Sequence, residues 1–182
     1  MTSVENTRRI FLNALAELSD IPFDKITVTM ICEHAQMSRQ TFYQYFKDKY
    51  EMTEYLVQKV LGGNFDQLGK TVGWNEAYFN AFSEMVRYAS VLRSIGEDSG
   101  NYNSIVPFTT RAAEKDFTDR YEERYGSAPS PLIAFQIHWT AVLGSAVPTK
   151  WMKDGCAMSA RELADMFTTL IPQELFKALN VD

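Results

Sequence analysis

Between Arg39 and Gln44 the chain sets an arginine, two glutamines, a threonine and a tyrosine around a single phenylalanine, Phe42. Such side chains are good at hydrogen bonding to flat, patterned partners. A guanidinium pairs bidentately with guanine, a glutamine amide with adenine, and a threonine methyl rests on thymine. Tyr43, with Lys47 and Lys49 just beyond, suits the oxygens of a phosphate backbone. The same polar face on an ordinary helix is merely solvated, so residue types alone leave both readings open.

Covalent and metal chemistry find no comparable concentration of residues. There is no Gly-rich phosphate loop, HExxH, GxSxG or spaced His/Cys/carboxylate cluster, so no catalytic residue is assigned and an enzyme is not expected. Cys32 and Cys156 lie far apart without CxxC spacing. Neither a disulfide framework nor a zinc site is implied, and no cofactor or metal is expected. His138 is a lone histidine on an apolar segment, and His34 reads as an exposed one.

The formal net charge is -5 and the isoelectric point near 5.1, which argues against a protein that binds a polyanion along its whole surface. Distribution matters more. From Gln36 to Tyr50 the bases Arg39, Lys47 and Lys49 face the single acid Asp48, whereas acids dominate from Glu114 to Glu123. The pattern fits a small DNA-contacting end on an acidic remainder. At 182 residues, with 46% hydrophobic and 23% charged content, the chain is long enough for one ordinary core or for a small domain plus a medium one. No apolar run approaches the roughly 20 residues of a membrane span, and the polar opening is not a secretory signal. A soluble, cytoplasmic protein with no membrane partner is expected.

The elements that must position the 39–44 face are legible on either side of it. Ile10, Ala14, Leu15 and Leu18 recur at helical spacing, predicting a helix over 5–18 that Pro22 closes. Phe23 and Ile26 plug the connection. Thr27 is a good N-cap for a helix over 28–35, with Val28, Ile31, Cys32 and Ala35 inward. The break falls at Gln36 and Met37, Ser38 caps the next short helix, and Phe42 and Phe46 anchor it. Asp48 with Glu51 predicts a capping box that opens a helix through Met52, Tyr55, Leu56 and Val60. Two short helices around a tight break form a helix-turn-helix, the device that lays its second helix in the major groove. The helix starts at Thr27 and Asp48 are further places where backbone amides can meet phosphate.

The segment 10–52 resembles the DNA-binding domain of the tetracycline-repressor (TetR) family. The resemblance rests on Ile10, Ala14 and Leu15, on Ile26-Thr27-Val28 leading to Ile31 and Ala35, and on a run fitting S-x-x-T-[FL]-Y-x-[YH]-F-x-x-K from Ser38 to Lys49. It implies phosphate contacts for Tyr43 and Lys49 and base reading for Arg39, Gln40 and Gln44. Thr27, Ser38, Thr41 and Lys47 complete the expected DNA-binding set. One departure stands out: the family usually has glycine where this chain has Gln36. A side chain there costs roughly 1 kcal/mol in the turn conformation, so a strained or altered turn is expected.

Beyond residue 61 the pattern predicts helices over about 75–96, 102–106, 108–125, 132–147 and 160–171, with glycine-loosened chain at 62–63 and 69–73 and a loop over 96–101. Pro107 and Pro148 are expected to break or kink their helices, with a loop over 151–158. Ser130-Pro131 and the Ser159/Glu162 pair read as helix starts. No strand pattern appears, so the fold class is all-α: a three-helix DNA-binding domain over 1–50 and a larger helical effector-binding and dimerisation domain over 51–182. Gly144-Ser145-Ala146 and the Trp151, Gly155, Met158-Ser159 pattern resemble the dihydroxyacetone-kinase-regulator subgroup. Trp74, Tyr78, Phe82, Met85, Tyr88, Tyr102, Phe108 and Trp139 are the candidate lining of a small-molecule effector pocket. Phe135, Trp139, Val142, Leu163, Phe167 and Leu170 are the candidate interface of a homodimer, where the family forms a four-helix contact. The expectation is a ligand-responsive repressor that binds a pseudo-palindromic double-stranded DNA operator as a homodimer. The alternatives are a co-activator or partner-binding regulator on the same fold, and a small-molecule-binding helical protein without operator binding.

Overall fold

The computed structural model describes residues 3–61, 65, 67–93 and 102–180, without the side chains of 61 and 102–105. Among these residues no strand occurs. The helices are α1 (Ser3–Glu17), α2 (Val28–Ala35), α3 (Arg39–Tyr45), α4 (Lys49–Leu61), α5 (Trp74–Arg87), α6 (Tyr102–Tyr125), α7 (Pro131–Lys153), α8 (Ala160–Leu170) and α9 (Gln173–Leu179), with a single 3-10 turn at Phe23–Lys25. The chain divides into two compact units. One takes in Met1–Val57 and Arg87–Tyr102, the other Gln58–Val86 and Asn103–Asp182. The divisions fall inside α4 and at the end of α5.

The first unit is built on one aromatic joint. Phe11 of α1 is fully buried and meets Phe42 of α3 edge to face at 5.2 Å and Phe46 at 6.3 Å. Leu12, Leu15, Ile31 and Met52 close around it, each 1% exposed or less. Edge-to-face rings add about 0.5–1.5 kcal/mol beyond their buried area, so this joint fixes the angle of α3. The helical turn at 89–93 belongs to the same unit, and α5 ends there. Arg87 Nη2 and the Tyr88 hydroxyl both donate to Asn13 Oδ1, at 2.9 and 3.1 Å. The continuous helix expected over 75–96 is thus interrupted at Tyr88, and positions 94–101, with the expected loop, lie outside the described residues.

The second unit is organised by the 74, 78, 82 stripe of α5. Trp74 stacks on Tyr78 at 5.8 Å and Tyr78 on Phe82 at 5.5 Å, and Phe117 and Phe167 pack against the stripe from α6 and α8. The residues around 69 are not loose: Leu68 is buried, and Gly69 N–H donates to Val72 O at 3.0 Å. Gly69 has φ +74°, and a Cβ there would lie 2.7 Å from Leu179 O, so only glycine fits. Positions 62–63 lie outside the described residues.

Both internal prolines overturn the expectation of broken helices. α6 runs through Pro107 and α7 through Pro148 as far as Lys153, which shortens the expected 151–158 loop. A proline inside a helix costs about 3 kcal/mol. Around Pro148 that cost is offset by burial of Ser145, Thr149, Trp151 and Met152 and by the Trp151 indole N–H donating to Met158 O at 2.9 Å. The Ser159/Glu162 capping box and the Ser130 cap ahead of Pro131 form as the sequence predicts.

Candidate nucleic-acid interface

The helix-turn-helix is held by caps at each start. Thr27 Oγ1 accepts from Met30 N–H at 3.2 Å, and Ser38 Oγ accepts from Thr41 N–H at 3.0 Å. These satisfy amides that a helix start leaves without partners. Between them Gln36 adopts φ 52° and ψ 39°, and its N–H bonds Cys32 O and Glu33 O. This left-handed cap is normally glycine's, so the strain expected at Gln36 is present.

Phe42 is fully buried, and α3 therefore turns its other residues outward. Arg39, Gln40, Tyr43 and Gln44 are all exposed, Tyr43 by 51%. The Arg39 guanidinium lies 6.0 Å from the Tyr43 ring centroid, and interaction with the Tyr43 hydroxyl raises its pKa further above its ordinary high value. Stacking of this kind narrows the guanidinium's freedom without removing its outward donors. Thr41 is half-buried, and its hydroxyl is hydrogen-bonded to Ser38 at 2.8 Å. The first turn of α3 therefore offers Arg39 and Gln40 ahead of Thr41.

The capping box expected at the start of α4 is corrected. Asp48 Oδ1 accepts from the N–H groups of Tyr50 and Glu51, both at 2.9 Å, but the Glu51 carboxylate reaches back to the N–H of Lys47, not of Asp48. With an acid already on its first amides, this helix start is a poor phosphate seat. The Lys49 Nζ donates to Phe23 O, Asp24 O and Ile26 O at 2.7, 3.1 and 2.8 Å. Lys47 keeps an exposed side chain. The sequence reading also missed Arg8, whose guanidinium sits over Tyr55 at 4.7 Å and Phe46 at 5.6 Å. Its signal would have been an arginine on the apolar side of α1.

Residues 10–56 match the family of bacterial regulatory proteins, tetR family. They form a tetR-family DNA-binding domain. The fold is also that of two solved structures. One is the dihydroxyacetone kinase operon activator DhaS, with a TM-score of 0.73 at 19% identity over 96% of this chain and 98% of that one. The other is a tetR-family transcriptional regulator from Streptomyces coelicolor, with a TM-score of 0.56 at 16% identity over 97% and 88%. No curated protein matches the chain in sequence.

Outside the tetR-family domain, the second unit holds a small cavity among α4, α5, α6 and α7. The space open to the centre of a water molecule is about 30 Å³, room for about two ordered waters. Of the expected lining, Tyr78, Phe82 and Met85 border it, joined by Thr109, Ser145 and Thr149. The three hydroxyl residues escaped the sequence reading, which followed aromatic residues. Burial pushes the Tyr78 phenol up, so it stays neutral, and among the described residues no charged side chain borders the cavity. The other expected residues lie elsewhere. Trp74 is core, with its indole N–H donating to Phe176 O at 3.3 Å, and Tyr88 belongs to the first unit. Phe108 and Trp139 are exposed, and the Tyr102 side chain lies outside the described residues.

α7 carries a surface stripe of Leu132, Phe135, Trp139, Leu143 and Val147, each 41–62% exposed. On α8 the exposed apolar residues are Met166 and Leu170, and Leu170 shares a shallow cleft with Leu143. Of the expected interface residues, Phe135, Trp139 and Leu170 thus lie outward and Val142 is half-buried. Leu163 and Phe167 are corrected to core, because Phe167 packs against Tyr78 and Phe82 at 5.3 and 5.2 Å. His138 is half-exposed, its Nδ1 3.3 Å from Glu114 Oε1. Among the described residues no group of three or more His, Cys, Asp or Glu is placed to hold a metal ion, and no helix is long and apolar enough to cross a membrane.

Proposed function

We propose that the protein is a homodimeric transcriptional regulator that reads a pseudo-palindromic DNA operator with α3. The observation that carries this reading is the exposed Arg39, Gln40, Tyr43 and Gln44 face on a helix locked from behind by Phe42. Arg39, Gln40 and Gln44 read base edges, while Tyr43 and Lys47 hold phosphates. Thr27 and Ser38 act through the helix starts they cap. One seven-residue helix reads few bases, so two copies related by a two-fold axis are needed for useful specificity. The apolar stripe of α7, with Met166 and Leu170, is the face that joins them. The domain boundary follows: DNA binding in the N-terminal helices, dimerisation and effector binding in the remainder. The α4–α7 cavity, which as it stands has room for about two waters, would have to widen to take a small effector, and that effector changes operator affinity only insofar as it binds the DNA-competent and incompetent states unequally. Repression is the primary reading. Activation is the second, because the solved DhaS fold is that of an operon activator.

A gel shift on the DNA flanking the gene, titrated with salt, tests the proposal. Specific binding is expected to weaken as salt rises, with a log–log slope near -0.9 per phosphate contact. Unchanged binding by Arg39→Ala and Tyr43→Phe would remove the assigned face. Sedimentation as a monomer at micromolar concentration would remove the dimer.

A further inference from the structure

We propose that Arg8 of α1 is a phosphate ligand of the bound DNA, placed at the C-terminal end of α3; the proposal rests on the DNA-binding reading above. A guanidinium presents five N–H donors in a rigid fork and keeps its charge at every ordinary pH. Among the described residues no hydrogen bond and no ion pair reaches the fork of Arg8. Its Nε is buried without a partner while the residue as a whole is half-buried, so the two terminal nitrogens are the part left to solvent. Arg120 on α6 shows the usual arrangement, with its fork on both Asp116 carboxylate oxygens at 3.0 and 3.1 Å. Arg161 likewise donates to Asn75 Oδ1 at 2.8 Å and Glu76 Oε2 at 3.3 Å. A half-buried charge without a counter-ion is costly. In a chain with 23 acids against 18 lysines and arginines, its lack of a partner is not for want of carboxylates.

The fork is held in place all the same. Its centre lies 4.7 Å from the ring centroid of Tyr55 on α4 and 5.6 Å from that of Phe46. Rings fix where the charge stands and use none of its in-plane donors. Phe46 is the residue that closes α3, and Lys47, with an exposed side chain, follows it directly. Arg8 therefore stands at the exit of the reading helix, as Arg39 and Gln40 stand at its entrance. A phosphate held by the two terminal nitrogens supplies both the acceptors and the counter-charge that the chain withholds. Arg8 lies just ahead of the segment 10–56 that matches the tetR family, so that likeness assigns it no role.

Fluorescence anisotropy of the full chain on a labelled duplex from the upstream region, from about 50 to 200 mM salt, tests this. Arg8→Met, which keeps an apolar stem against the rings, is expected to bind more weakly. It should also flatten the log–log salt slope by about 0.9 for each chain bound, or about 1.8 for a dimer. The deficit of a dimer against wild type then shrinks roughly twelvefold across that salt range. The same loss is expected on an unrelated duplex of equal length, since a phosphate contact carries no sequence. Arg8→Lys, which keeps the charge, should keep the wild-type slope. The proposal is overturned if Arg8→Met weakens binding equally at every salt concentration, which makes Arg8 a staple between α1 and the α3–α4 joint. It is equally overturned if affinity and slope both stay at wild-type values, if the loss is confined to the upstream duplex, or if Arg8→Lys flattens the slope as Arg8→Met does. Circular dichroism at the assay temperature checks folding, and Arg8→Gln replaces Arg8→Met under the same criteria if helicity is lost. A wild-type chain without salt-dependent binding would instead sink the DNA-binding reading, a result separate from either Arg8 outcome.

Discussion

The aromatic side chains that α3 and α7 hold out to water sit in opposite company. On α3 the half-exposed Tyr43 sits among Arg39, Gln40 and Gln44, whereas on α7 the half-exposed Trp139 sits among Leu132, Phe135, Leu143 and Val147. The first face is content in water until a hydrogen-bonding partner arrives. The second loses free energy at every moment it stays wet, because a contiguous apolar patch marks a surface meant to be covered. On the proposed function, one surface serves a partner that comes and goes, the other one that stays.

The sharpest way to break this contrast is to compare apolar residues inside and outside the same helices. Phe167→Ala, which hollows the stripe beneath Tyr78 and Phe82, is expected to cost about 3–5 kcal/mol of stability in a denaturant melt. Trp139→Glu should leave a folded chain that sediments as a monomer; a dimer that survives it would show that the α7 stripe is not the interface. Arg39→Ala is expected to cost about 1–3 kcal/mol of operator affinity and to relax preference at one base position, read by gel shift on substituted sites. Gln36→Gly should gain about 1 kcal/mol by relieving the left-handed cap, seen as a raised denaturant midpoint with unchanged slope.

The smallest effect concerns the α8 capping box. Glu162 has its pKa held below the ordinary glutamate value, first by the Ser159 hydroxyl and then by the Ser159 backbone N–H. The folded chain thus gives up this proton more readily than the unfolded one. The contribution of Glu162 is fully present above the unfolded pKa, near 4.5, and fades as pH falls through the lower folded value. Glu162→Gln should remove that part of the acid dependence, measured as the difference between the two unfolding-midpoint curves below pH 5.

What could be read from the residues follows the range of the interactions. The Thr27, Ser38, Ser130 and Ser159 caps were all legible, because a cap is settled within four residues. The strain at Gln36 was legible for the same reason. The carbonyl bonds of Lys49 were not, since their acceptors lie 23 to 26 positions away. Pro107 and Pro148 misled because a local rule met a long helix held on both sides of the defect. On α8, Leu163 and Phe167 could not be told from Met166 and Leu170, since each pair follows helical spacing and only the position of α5 decides which turns inward.

The placing of the three tryptophans gives the molecule an optical address for one of its surfaces. Trp74 and Trp151 are buried, each with its indole N–H on a backbone carbonyl, whereas Trp139 is 48% exposed on the α7 stripe. Buried indoles emit toward the blue and are shielded from aqueous quenchers, so the red, iodide-quenchable part of the emission belongs to Trp139. Dilution followed at that red edge therefore watches the α7 face alone, without a label and without disturbing α3.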